Sequence, residues 1–169
     1  MKVTQLPDVE PGSRKVAIGT FDGVHVGHRK VIQGSDTVLT FEPHPVKIVH
    51  PEAAPKLIMG FEAKRDVIAG LGVDELVVIP FDRAFSQIPA EEFIDDILIQ
   101  RLGATQVSIG ENFRFGAKAK GDARMLSERE EFETRIVPLV EADGETISST
   151  RIRALVLAGD VEGAMHALG

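Results

Sequence analysis

The chain of 169 residues suits one domain with a substantial buried core, and its 43% hydrophobic and 27% charged residues are those of an ordinary soluble globular protein. No apolar run approaches the ~18 residues of a membrane-spanning helix, the polar segment from Met1 to Arg14 lacks a signal-peptide core, and without cysteine neither disulfides nor thiolate chemistry are available, so the cytoplasm is the expected compartment. A formal net charge of −7 disfavours a nucleic-acid partner, whose phosphates need a basic face, but leaves room for a small phosphorylated ligand held by a few local donors and a metal ion.

Short β-branched runs alternate with amphipathic stretches, the pattern of a parallel sheet with crossover helices. The first strand is expected at Val16–Gly19 and leads into the segment Gly19-Thr20-Phe21-Asp22-Gly23-Val24-His25-Val26-Gly27-His28. Thr37 follows His28 by only nine positions. The crossover there must hold a helix of about two turns, or be partly irregular, because parallel connections usually take a dozen residues or more. The second strand, Thr37–Phe41, runs into Thr40-Phe41-Glu42-Pro43-His44-Pro45. A helix over Phe61–Leu71 with Gly72 just past it precedes a strand at Glu75–Pro80. In that strand Leu76-Val77-Val78-Ile79 is apolar on both faces, as expected of a sheet covered on both sides.

Pro89 suits the first position of a helix over Ala90–Leu102, and Gly103 suits the residue after it. The strand Gln106–Gly110 leads into Gly110-Glu111-Asn112-Phe113-Arg114-Phe115-Gly116. A shorter helix near Asp122–Glu131, a strand over Thr134–Val140 and a tight turn at Asp143-Gly144 follow. The chain closes with Ile147-Ser148-Ser149-Thr150-Arg151-Ile152-Arg153 and helices over Thr150–Ala158 and Val161–Leu168. The whole reads as a single α/β domain, 1–169, built on a doubly wound parallel sheet, with no internal repeat.

Three of the four unusual segments directly follow a strand, and the fourth opens a helix. Ligands of open parallel sheets sit at the carboxyl ends of the strands, so these segments converge on one edge. In the first, glycines permit close backbone approach, and the following helix N-terminus offers free N–H groups and partial positive charge to phosphates. His25 and His28 add imidazole donors. Two histidines alone would be ordinary residues of a turn; a zinc site of His25, His28 and His44 matches on ligand type only. Ser148-Ser149-Thr150 is a good N-cap signal by itself. Arg151 and Arg153 in the same turn oppose the helix dipole and so ask for an anion. Phe21, Phe41, Phe113 and Phe115, with Pro43 and Pro45, could hold a planar heterocycle or be plain core, and Asn112 offers a donor and an acceptor to a ring edge. Lys118 and Lys120 read as a solvated loop face.

The first segment, with its His-x-Gly-His core, resembles the nucleotidyltransferase signature, and residues 147–153 resemble that superfamily's second phosphate-binding signature. Residues 40–45 and 110–116 together resemble the FMN adenylyltransferase module of bacterial riboflavin kinase/FAD synthetases, a resemblance that spans about Val16 to Leu168. It implies a Rossmann-like nucleotidyltransferase fold, ATP and FMN as substrates, Mg²⁺ bridging phosphate oxygens, and FAD and pyrophosphate as products. Carried residue by residue, it implies that His25 and His28 contact the ATP phosphates and stabilise the leaving pyrophosphate. Ser149, Thr150 and Arg153 would hold the β- and γ-phosphates. Gly19, Phe21 and Asp22 would shape the nucleotide pocket, with Gly27 beside the phosphates, and Asn112, Phe115, Pro43, His44 and Pro45 would flank the flavin.

Two features depart from that family's pattern. The stretch from His28 to Thr37 is short. No riboflavin kinase barrel follows, and nothing resembles its Pro-Thr-Ala-Asn motif, so kinase activity is not expected of this chain. Transfer to another phosphorylated acceptor, or a non-catalytic flavin-nucleotide binding module, stand as alternatives.

Overall fold

Along a strand, successive side chains point to opposite faces, so a run apolar at every position must be covered on both sides. Strand β4 (Glu75–Pro80) does this. Leu76 and Val78 join one hydrophobic core, while Val77 and Ile79 join another on the opposite face. In the computed structural model, which describes residues 1–169, five further strands flank it in one sheet. They are β1 (Lys2–Gln5), β2 (Arg14–Ile18), β3 (Thr37–Glu42), β5 (Ala104–Gly110) and β6 (Glu133–Val137). Their order is β1-β4-β3-β2-β5-β6, and every neighbouring pair is parallel.

One face is covered by α1 (Val26–Ile32) and, after the short α2 (Pro45–Val49), by α3 (Phe61–Ala69). Val31, Ile32 and Ile68 pack there on Ala17, Val38, Leu76 and Val78. The other face lies under α5 (90–101) and α6 (Ala123–Ser127), which follow the single-turn α4 (Arg83–Ser86). Helix α5 starts at Ala90–Glu92 and continues with the wider π spacing through Phe93–Arg101; its Phe93, Ile94, Ile97 and Leu98 pack on Val16, Ile18, Leu39, Val107 and Ile109. A third, small core joins Ile147 and Ile152 to Ala164 and Ala167, where α7 (Ser149–Leu157) packs on α8 (Val161–Leu168). The doubly wound parallel sheet expected from the sequence is therefore present.

The differences have local causes. Strand β1 escapes a reading by alternation because it lies at the sheet edge with only Thr4 buried. The strand expected over Thr134–Val140 stops at Val137, since Pro138 has no N–H for a ladder. The expected turn at Asp143 and Gly144 (φ 54° and 77°) joins the two-residue strands β7 (Glu141–Ala142) and β8 (Glu145–Thr146). Asp122 caps α6 by accepting the Met125 N–H, and that helix is shorter than expected. Pro89 is the N-cap of α5 rather than its first residue. Helix α1 has seven residues, two turns, which is how the short crossover is made. Helices α2 and α4 are too short to show a period.

Candidate active site

The strand order reverses between β2 and β5, and the loops leaving those two strands open the cleft that parallel sheets use for ligands. About 260 Å³ in volume, it is walled by Gly19, Phe21, His25, Gly27 and His28 from the β2 side. Asn112 and Phe113 after β5, Pro138 to Val140 after β6, and Ser148 and Ser149 at the start of α7 complete it. Three of the four segments singled out in the sequence meet there; the fourth, 40–45, does not line the cleft, and Pro138 to Val140 join instead.

His25 is the N-cap of α1, its Nδ1 accepting the His28 N–H at 3.3 Å. The two imidazoles stack at 3.5 Å between centroids, and Phe21, held at φ 52°, meets His28 edge-on at 5.3 Å. Gly27 lies close against that pair: a Cβ there would come 3.0 Å from the His25 ring. Burial pushes the His25 pKa down to about 4 against the opposing pull of Asp22, and lowers that of His28 as well, helped by the charges of His25 and Lys64. Both rings are therefore neutral near pH 7. The Nδ1 of His28 is buried without a hydrogen-bond partner, an unsatisfied atom of the kind found where a ligand or reaction makes use of it.

The serines divide their work. Ser148 caps α7 by accepting the Arg151 N–H at 3.1 Å, and the Ser149 hydroxyl donates to the Asp22 carbonyl at 2.8 Å. Thr150 is exposed in the first turn. Arg153 does not line the cleft. Its guanidinium pairs with the buried Asp22 carboxylate and donates to the Lys56 carbonyl at 2.8 Å. Asp22 also accepts the Ile58 and Met59 N–H groups, so one carboxylate ties the β2 loop, α7 and the segment before α3 together.

A larger cavity of about 850 Å³ lies among the aromatic residues. Phe41, Val46, Phe81, Phe85, Phe93 and Phe115 give it an apolar wall, with His50, Arg114 and Lys118 at its polar positions. Six of the nine phenylalanines form a continuous chain of ring contacts, Phe41-Phe81-Phe85-Phe93-Phe115-Phe113, ending on a stacked pair 5.9 Å apart. Phe113 walls the small cleft and Phe115 the large one, so this stacked pair links the two walls. His44 caps α2 through its Nδ1, which accepts the Val46 N–H at 3.2 Å; its pKa is lowered, chiefly by burial. Pro43 is exposed and Pro45 opens α2. His44 is not gathered with His25 and His28, and no three His, Asp or Glu side chains are grouped to hold a metal ion.

Sequence reasoning missed Phe81, Phe85, Phe93 and the Lys118 position on the large cavity, and it missed Lys64. The last carried a signal: Phe61, Lys64 and Ile68 share one face of α3, and a lysine on an apolar face is unusual.

A family model described as FAD synthetase matches residues 9–151. The chain is 34% identical over 168 residues to the bifunctional riboflavin kinase/FMN adenylyltransferase of Buchnera aphidicola subsp. Schizaphis graminum, covering 91% of this chain and 54% of that protein. Proteins of the same name from Listeria monocytogenes (35% over 170 residues) and Escherichia coli K12 (32% over 167 residues) align over 93% and 91% of this chain and 54% and 53% of their own lengths. The chain thus spans about half the length of the curated relatives it matches. A crystal structure described as a macrolide-efflux protein from Streptococcus pneumoniae has a TM-score of 0.88 and 29% identity, covering 100% of this chain and 62% of that one.

Proposed function

The chain belongs to the FAD synthetase family, and from that premise we propose that it transfers the AMP moiety of ATP to FMN, giving FAD and pyrophosphate. One observation carries this: a small cleft with two histidines at a helix N-terminus is linked to a large aromatic cavity by the stacked Phe113–Phe115 pair. The first suits a triphosphate. The second suits a tricyclic ring of the size of a flavin.

In the proposed reaction an oxygen of the FMN phosphate attacks the α-phosphorus of ATP in line. The new P–O bond forms as the bond to the bridging oxygen of the β-phosphate breaks, and that oxygen leaves with pyrophosphate. Catalysis rests on positioning and on charge stabilisation rather than on a covalent intermediate. His25 and His28, neutral before substrate binds, would donate N–H groups to the phosphates. Ser149, Thr150 and Arg153 would hold the β- and γ-phosphates, Arg153 exchanging Asp22 for that anion. Gly19, Phe21, Asp22 and Gly27 would shape the nucleotide pocket, and Asn112, Phe115, Pro43, His44 and Pro45 the flavin side. Asp22 stays engaged with two backbone N–H groups, and no three His, Asp or Glu side chains are grouped to hold a metal ion. Mg²⁺ would therefore enter as part of the substrate, MgATP, keeping most of its water.

We further propose that residues 1–169 act as one adenylyltransferase domain in the cytoplasm; no helix is long and apolar enough to cross a membrane. A riboflavin kinase, named with the adenylyltransferase in the relatives, is the proposed source of FMN. The test is product formation from ATP, Mg²⁺ and FMN, with flavins separated chromatographically. FAD is expected, and His28→Ala should lower turnover roughly 10²–10³-fold with FMN binding nearly intact, the effect of removing one preorganised donor. FMN and ATP binding without any FAD would sink the transfer reading.

A further inference from the structure

Lys64 is one of the most enclosed charged residues of the chain, 5% exposed, and it lies in the first turn of α3 beneath the carboxyl edge of the sheet. Its ammonium has three donors, and all three are used. It donates to the Thr20 carbonyl at 3.2 Å, the Thr40 hydroxyl at 3.3 Å and the Glu42 carboxylate at 3.0 Å. The Thr40 hydroxyl in turn donates to the same Thr20 carbonyl at 3.2 Å. Thr20 belongs to the loop after β2, two residues from Asp22 and next to Phe21, whose ring meets His28. Glu42 ends β3 and directly precedes Pro43 and His44. One buried cation thus joins the segment carrying the phosphate-side histidines to the segment carrying the flavin-side residues.

We infer that Lys64 is a positioning residue that fixes the β2 loop against the end of β3, and so sets the distance and angle between the two substrates. The inference rests on the adenylyl-transfer reading. A buried ion pair gives little net stability over an apolar replacement of similar shape, so fold stability alone is a weak reason to keep this one. Its place is the better reason. Each half of the site makes its own contacts with its own ligand, whereas in-line attack depends on how the halves sit relative to each other. An error of 1 Å there is enough for a loss of about 10²-fold. The Lys64 charge also disfavours protonation of both His28 and His44.

The experiment compares the parent chain with Lys64→Met and Glu42→Gln, reading kcat for FAD formation, separate dissociation constants for MgATP and FMN, and thermal unfolding. Lys64→Met should lower kcat roughly 10–100-fold while each dissociation constant stays within about threefold. Glu42→Gln keeps an acceptor but removes its charge, should lower kcat about 3–10-fold with the same split, and decides the matter if Lys64→Met does not fold. Unchanged kcat in these folded variants, or affinities for both ligands falling in step with kcat, overturns the positioning role. A parent chain that binds both substrates yet forms no FAD overturns the transfer reading itself, and the positioning role with it.

Discussion

His25 shows how one side chain can serve the fold and the site together. Its Nδ1 closes the N-terminus of α1, which commits that nitrogen as an acceptor and leaves the rest of the ring in the cleft wall. Burial makes the cationic form unfavourable, and the pKa of about 4 is the consequence. Above pH 6.5 both the folded and the unfolded chain hold this imidazole neutral, so stability is unaffected. Below it the unfolded chain takes up a proton that the folded chain refuses, and the fold loses stability from pH 6.5 towards pH 4. The urea midpoint should therefore fall between pH 6.5 and 5, and His25→Asn, which keeps an N-cap acceptor, should flatten part of that fall. Equal slopes in the parent and the variant would count against the buried neutral ring.

At the scale of the element, the 110–116 loop is placed by its seat on α5 rather than by its own sequence. Gly116 has φ 76°, and a Cβ there would lie 2.6 Å from the Ala90 Cα, inside the first turn of that helix. The next residue, Ala117, donates to the Ile88 carbonyl at 2.8 Å, and Phe115 and Gly121 exchange backbone hydrogen bonds. These contacts turn Phe115 into the aromatic wall beside Phe93. Gly116→Ala must push the loop off the helix. It should cost about 1–3 kcal/mol of stability by urea unfolding and weaken FMN binding about 10-fold by flavin fluorescence, the combined effect of a strained φ and a backbone clash. Full FMN affinity in that variant would mean that the loop does not form the flavin wall.

Across the whole molecule the two edges of the sheet do different work. At the carboxyl edge lie the cleft and the Lys64 network; at the amino edge Arg14 binds the strands together. Its guanidinium donates to Glu75 at 2.9 Å, to the Leu102 carbonyl at 3.0 Å and to the Glu10 carbonyl at 2.9 Å, while Thr4 donates to the other Glu75 oxygen at 2.8 Å. Burial alone would raise the Glu75 pKa, but the hydrogen bonds from Arg14 and Thr4 and the Arg14 charge bring it below its usual value. Arg14→Met leaves a nearly buried carboxylate without its cation. It should lower stability by about 3–5 kcal/mol in urea unfolding, yet leave kcat of the folded protein unchanged, because the site is at the opposite edge. A kcat loss in folded Arg14→Met would show that the edges are coupled.

The sequence by itself determined the fold class, four of the six sheet strands to within two residues at each end, and three of the segments that wall the candidate cleft. Those features are local, since short β-branched apolar runs, glycines at strand ends and serines before a helix carry their signal within a few residues. The assembly was decided by tertiary structure. Strand β1 pairs with β4 across more than seventy positions, and its exposed edge residues give no alternation. Phe81 and Phe85 fall in none of the elements expected from the sequence, and only the fold brings their rings to Phe41 and Phe93. Arg153 reads as a phosphate ligand from its motif, and only the packing of α7 against the β2 loop sets it on Asp22. Lys64 gains its three partners only when two strands end side by side. A contact between distant residues depends on where strands and helices stop in space, which no local pattern encodes.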